Sequence, residues 1–361
     1  MSLEEHLARP DISIEQHIAS RAAALAASLE NKLPIYLDTR FWIMVREVED
    51  GTSNRDDEIE IVRLLRSLVE GGRAYCPIAE PTFSEVMRQA QPARRAGTAR
   101  AIDALSLGVT ILPDCDRMAG EIRNALRARV ARSAAPPPFR GLTSLAYVLG
   151  DLYPAGTVFP AETELALQKA FYDRLWDKPL AEIVLMMPVE HYTRDQALEE
   201  RARRRTDENA AHRHLMKSWE DVLGDEFQGA GRGVAEMVPG LMELILPSAP
   251  VDAETAQKLI GAAIRQLLAD PANARAMPTM HVQAAIHALF RWEYRDRPIT
   301  ANDLVDFRHA AAALSHCALF LTEKGLRNTL LHQRIRLADL HGTTVLASRG
   351  EIVRHLRQLA A

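Results

Sequence analysis

Four carboxylates stand where their surroundings suit chemistry. Asp38 closes the apolar run "PIYLD" and Glu323 closes "LFLTE", so each acid ends a short buried segment. Glu85 in "PTFSEV" and Asp306 in "NDLVDFRHAAAALSHC" lie on stretches with helical periodicity. In an open parallel sheet, ligands bind beyond the carboxyl ends of the strands, which puts Asp38 and Glu323 on one edge. Four acids converging there repel one another unless a cation neutralises them, and oxygen-only donors suit Mg²⁺ or Mn²⁺. A hard dication at such an edge points to phosphate chemistry.

Each acid also has a local reading. Asp38 fits the N-cap of a following helix. Glu85 is the last residue of "TFSE", a capping box opened by Thr82. In "TAND", Asp303 is the capping partner of Thr300, which leaves Asp306, one turn deeper, outside any cap. Ala310 and Ala313 share the helix face of Asp306 and allow close packing. Glu323 precedes a helix whose dipole it would complement. His309, one turn after Asp306, either orients that carboxylate or meets substrate, or else makes only a local hydrogen bond. Thr322 and Lys324 flank Glu323 with a hydroxyl and an ammonium suited to a scissile phosphate, and Lys324 reads equally well as a solvated charge.

Hydrophobic periodicity assigns the strands and helices that would carry these residues. From Leu33 onward, "PIYLD", "AYCPI" and "GVTILP" read as strands, alternating with helices in "DDEIEIVRLLRSLVEGG", "PTFSEVMRQ" and "DRMAGEIRNALRARVA". Such a βαβαβα order predicts a parallel sheet. Three prolines in "SAAPPPFRG" break the pattern. The stretch beyond them is almost wholly helical: "ETELALQKAFYDRLW", "TRDQALEERARRRTDENAAHRHLMKSWEDVL" and "DAETAQKLIGAAIRQLLAD". Then "TANDLVDFRHAAAALSH", "CALFLT", "EKGLRNTLLHQ", "TTVLAS" and "GEIVRHLRQLA" restore an αβαβα order. The expected organisation is a helical segment over 1–32, an α/β domain over 33–132 and 296–361, and an all-α insertion over 133–295. "RARRR", Arg201 to Arg205, lies among acids, so it is a salt-bridged face by default and a basic lid by the sharper reading.

Composition narrows the class. The chain of 361 residues is 47% hydrophobic and 25% charged, as a globular protein is. Its net charge of −4 supplies no global pull on nucleic acid, so such binding needs a local basic patch. Three widely spaced cysteines in no CxxC pattern argue against a disulfide framework or a zinc site built on thiolates. With no secretory signal and no membrane-length apolar run, the expectation is a cytoplasmic protein.

"PIYLDTRFWI", "PIAEPTFSEV" and "NDLVDFRHAAAALSHCALFLTEKGL" resemble, in this order, the three segments of a PIN-domain nuclease. The resemblance covers about half the chain. It implies a Mg²⁺- or Mn²⁺-dependent endoribonuclease, often a toxin or defence nuclease, acting on single-stranded RNA and controlled by an antitoxin or other regulatory protein; a homodimer fits the family too. Asp38, Glu85, Asp306 and Glu323 match its four acids, which hold one or two ions that activate water. Three positions depart from the pattern: Arg40 where Asn is frequent, Glu323 where Asp is common, and Ala318 where some relatives carry an acid. Arg40 either contacts the substrate phosphate or fills part of the metal pocket. The alternative is a catalytically inactive PIN-like module that binds nucleic acid or protein. A haloacid-dehalogenase-like phosphatase needs D-x-D after its first strand, and "DTR" lacks the second Asp.

Overall fold

The computed structural model describes residues 2–130, 141–147, 153–187, 196–235 and 276–361, with single positions at 255, 258, 262, 266, 267 and 273. In chain order come α1 (Leu3–Leu7), α2 (Ile14–Ser28), β1 (Leu33–Leu37), α3 (Thr39–Glu49), α4 (Asp56–Glu70), β2 (Ala74–Tyr75), α5 (Glu80–Met87), α6 (Pro92–Ser106), β3 (Val109–Ile111) and α7 (Asp114–Val130). They are followed by β4 (Leu142–Ser144), α8 (Ala161–Trp176), α9 (Leu180–Met186), α10 (Gln196–Ala211), α11 (Trp219–Ala235) and α12 (Pro278–Trp292). The chain continues through α13 (Ala301–His316), β5 (Leu319–Leu321), α14 (Lys324–Leu330), α15 (Leu337–His341), β6 (Thr344–Leu346) and α16 (Arg349–Ala360). The fold is mixed α/β with parallel strand pairing. Among the described residues no helix is long and apolar enough to cross a membrane.

The residues gather into two compact units, 1–113 with 142–193 and 348–361, and 114–141 with 194–347. In the first, β1 pairs in parallel with β2, Leu33 opposite Ala74 and Pro34 opposite Tyr75. Ile35, Tyr36 and Leu37 are fully buried, as a parallel strand covered on both faces requires. Helix α4 buries Ile61, Leu64, Leu65 and Leu68, one stripe at helical spacing. Gly72, at φ +69°, reverses the chain just beyond it, where an L side chain is strained. On its polar side α16 is tied back by Arg349–Glu58 and Arg357–Glu60 ion pairs of 2.6 and 3.0 Å.

Strand β3 departs from the all-parallel expectation. It meets Ile78 through a parallel bridge but pairs antiparallel with β4, Val109 opposite Ser144 and Ile111 opposite Leu142. The stretch read as almost wholly helical therefore contributes a strand, and residues 142–193 pack with the first unit. The break "SAAPPPFRG", except Gly141, and most of "DAETAQKLIGAAIRQLLAD" lie outside the described residues.

In the second unit β5 and β6 are parallel, with Leu319, Phe320 and Leu321 opposite Thr344, Val345 and Leu346. Met118, Ile122, Phe227, Met280 and Ala284 from α7, α11 and α12 form one apolar cluster. The long helical stretch beginning at Thr193 is divided, with α10 and α11 separated by residues 212–218. Pro179 before α9 and Met277 before α12 have no side chain able to cap the helices they precede. Each takes a carboxylate from another helix instead. Asp103 accepts from the Leu180 and Ala181 amides at 2.6 and 2.9 Å, and Glu121 accepts from the Thr279 amide at 3.0 and 3.1 Å.

Candidate metal centre

Strand β1 delivers Asp38 at its carboxyl end, where φ −59° and ψ 152° turn the chain directly into α3. The backbone carbonyl of Asp38 accepts the first helical hydrogen bonds, from the Phe41 and Trp42 amides at 2.8 and 3.4 Å. Its side chain makes no capping bond and is 8% exposed. The simple cap explanation of this acid therefore fails, because a capping Asp spends its carboxylate on the N2 or N3 amide.

The capping-box reading of Glu85 fails as well. Helix α5 starts at Glu80, with Pro81 in its first turn, so Thr82 lies inside the helix and Glu85 in its second turn. The Thr82 hydroxyl pairs with the Tyr36 hydroxyl at 3.2 Å instead. Carboxylate oxygens of Asp38 and Glu85 lie within 4.8 Å of each other. Thr39, the residue after Asp38, donates its hydroxyl to Glu85 Oε2 at 2.5 Å and fixes one side of that carboxylate. Sequence reasoning passed over Thr39; its position after a strand-ending Asp was the available signal.

The donor set fits a hard dication. Ligand oxygens about 2.1 Å from an octahedral Mg²⁺ are separated by roughly 3 Å when adjacent and roughly 4 Å when opposite. A small side-chain adjustment brings the Asp38–Glu85 pair into that range. Two carboxylates this close repel each other, and a cation between them offsets the repulsion.

The remaining predicted residues, Arg40 apart, belong to the second unit. Thr300 caps α13, accepting from the Asp303 amide at 3.2 Å, while Asp303 accepts from the Thr300 amide and hydroxyl at 2.8 and 2.7 Å. Arg297 adds a 2.6 Å ion pair to the same carboxylate. Asp303 is thus a structural acid, as "TAND" implies. Asp306, half-buried, lies one turn on, and Ala310 and Ala313 on its face are fully buried. His309 is buried on the same helix. Strand β5 is buried throughout and ends at Leu321, and Thr322, which follows it, is also buried. Glu323 stands at the N-cap of α14 without a capping bond; it is exposed, as are Lys324 and, in the first unit, Arg40.

The basic run on α10 follows its default reading in part. Arg205 pairs with the buried Glu226, and with Glu208 at 3.6 Å, while Arg204 faces Glu200 at 3.9 Å. Arg291 grips Glu226 and Asp225 at 2.5 and 2.7 Å. These arginines are committed to acids within their own unit.

Comparison of the chain with models of protein families, with curated proteins and with solved structures finds no match.

Proposed function

We propose that this protein is a divalent-metal-dependent endonuclease that hydrolyses phosphodiester bonds, with single-stranded RNA as substrate. The observation that carries the reading is the Asp38–Glu85 pair, two carboxylates within 4.8 Å at the end of a parallel strand, with Asp38 released from capping. Asp306 and Glu323 are assigned to the same centre by their sequence pattern, together with Asp303's occupation in a cap and Glu323's lack of one. RNA, a toxin or defence role and an antitoxin partner rest on the resemblance to PIN-domain nucleases alone.

In this mechanism Asp38, Asp306 and Glu323, with Glu85 directly or through water, would hold Mg²⁺ or Mn²⁺, which when bound would lower the pKa of water and offset charge on the leaving oxygen. Thr39 orients Glu85. Arg40 and Lys324, both exposed, bind backbone phosphates, and His309 orients Asp306 on its own helix. No serine or histidine nucleophile is required.

The test is incubation of the purified protein with end-labelled single-stranded RNA in Mn²⁺ or in EDTA. Cleavage in Mn²⁺ that EDTA abolishes supports the assignment. RNA bound but left whole in Mn²⁺ replaces it with the binding-module reading, and cleavage unaffected by EDTA rejects the metal mechanism.

A further inference from the structure

We propose that His6, His17 and Asp173 form a second metal site, for a transition-metal dication of the Zn²⁺ type, which clamps the two N-terminal helices onto α8. It is independent of the nuclease reading. The first unit builds it from three helices, two of which start at capping boxes. Ser2 and Glu5 form a capping box that opens α1 and places His6 in it, and Ser13 and Gln16 form another that places His17 in the first turn of α2. Helix α8 supplies Asp173, and one turn earlier Lys169, whose ammonium donates to the Arg9 and Ile12 carbonyls at 2.8 and 3.1 Å and so fixes the α1–α2 connection.

The geometry is convergent. His6 Nε2 lies 3.1 Å from Asp173 Oδ2 and His17 Nε2 2.8 Å from Oδ1, so both imidazoles turn the same nitrogen toward one carboxylate. The rings stand edge to face with centroids 5.1 Å apart, and the three side chains are only 2%, 10% and 8% exposed. Every ligand atom of the set lies within 4.8 Å of the others. Around a tetrahedral ion with bonds of about 2.0–2.1 Å, ligand atoms are roughly 3.4 Å apart, so the ion enters with side-chain movement alone.

Two imidazole nitrogens and one carboxylate oxygen select Zn²⁺, Co²⁺ or Fe²⁺ over Mg²⁺, whose sites are built from oxygen. Ligation requires each ring to hold its proton on Nδ1 and to offer the Nε2 lone pair to the ion. The charges nearby set the affinity. Arg21 Nε lies 3.7 Å from Asp173 Oδ1 while its guanidinium stacks over Trp176 at 4.9 Å, and it opposes a dication, as does Lys169.

The test uses the full chain carrying Asp38→Asn and Glu85→Gln, so that the acidic centre contributes no signal. Titration with Co²⁺ is expected to give a visible d–d band at one equivalent, displaced by Zn²⁺ and absent in His6→Gln and in His17→Gln. Zn²⁺ at a hundredfold excess over its dissociation constant should raise the melting temperature by roughly 3–4 °C. Arg21→Gln, which leaves the ligands in place, should tighten Co²⁺ binding severalfold; it carries the test alone if the histidine variants do not fold. No band, a band that survives both histidine substitutions, or unchanged affinity in Arg21→Gln overturns the site and leaves a hydrogen-bonded His–Asp–His network.

Discussion

Replacing Asp303 by Ala and Asp306 by Asn separates structural from chemical acids on one helix. Asp303→Ala removes the acceptor of the Thr300 amide and hydroxyl, at 2.8 and 2.7 Å, and breaks the capping box. Loss of such a cap costs about 1–2 kcal/mol, and the Arg297 ion pair adds little because that arginine is half exposed. With a urea slope of about 2 kcal/mol/M, the unfolding midpoint falls by roughly 0.5–1 M. RNA cleavage per folded molecule stays near wild type. Asp306→Asn conserves shape and lies beyond the cap, so its midpoint shifts little, by about 0.5 kcal/mol or less in free energy, while cleavage falls at least about a hundredfold. Urea unfolding and Mn²⁺-dependent RNA cleavage on both variants decide the matter. A folded Asp303→Ala that has lost cleavage, or an Asp306→Asn that cleaves as wild type, refutes the assignment.

Three further variants probe the acidic centre and the buried titrating groups. Thr39→Val removes the 2.5 Å bond to Glu85 and should raise the Mn²⁺ concentration for half-maximal cleavage by roughly 10–100-fold, with the melting temperature nearly unchanged; an unaltered Mn²⁺ requirement counts against this positioning role. Burial pushes the Glu121 carboxyl up to about 7, so the folded state holds a proton that the unfolded chain releases near its ordinary value of 4.5. Stability at this site therefore declines as pH rises through that window, by about 3 kcal/mol in all, and from pH 5 to pH 8 the change in unfolding free energy, from urea midpoints, should be more favourable in Glu121→Gln than in wild type by roughly 2.5 kcal/mol. Burial pushes His287 down to about 3, so below pH 6.5 the unfolded chain takes up a proton that the folded one refuses. Stability is lost as pH falls, and His287→Gln should lose about 2 kcal/mol less than wild type between pH 7 and pH 5 in the same assay.

Much of what positions the candidate centre is visible in single residues. The strand ending at Asp38 is written in a buried apolar run, and the separation of Asp303 from Asp306 in the spacing of one Thr and one Asp. The helix of Glu85 was read from Pro81, one residue after its observed start at Glu80; only the capping box at Thr82 fails, because Pro81 suits the first turn as well as "TFSE" suits a cap. The antiparallel β3–β4 pair was not legible: Leu142–Ser144 is too short to show a period, and its partner comes from a segment more than thirty residues earlier. Helix α3 hides among Phe, Trp, Ile and Val, residues as much at home in strands, and forms because the chain turns at Asp38 and buries Phe41, Trp42 and Val45. The His6–His17–Asp173 cluster has no sequence signature, since packing alone brings together residues 156 and 167 positions apart.

The central claim, that Asp38 is a ligand in a hydrolytic metal centre rather than the start of a helix, is tested most directly by Asp38→Asn. With folding matched by circular dichroism and RNA affinity by a filter assay, the account predicts Mn²⁺-dependent cleavage of single-stranded RNA by the wild type and a loss of roughly a hundredfold or more in the variant, with RNA binding retained. Equal cleavage by the two proteins contradicts it.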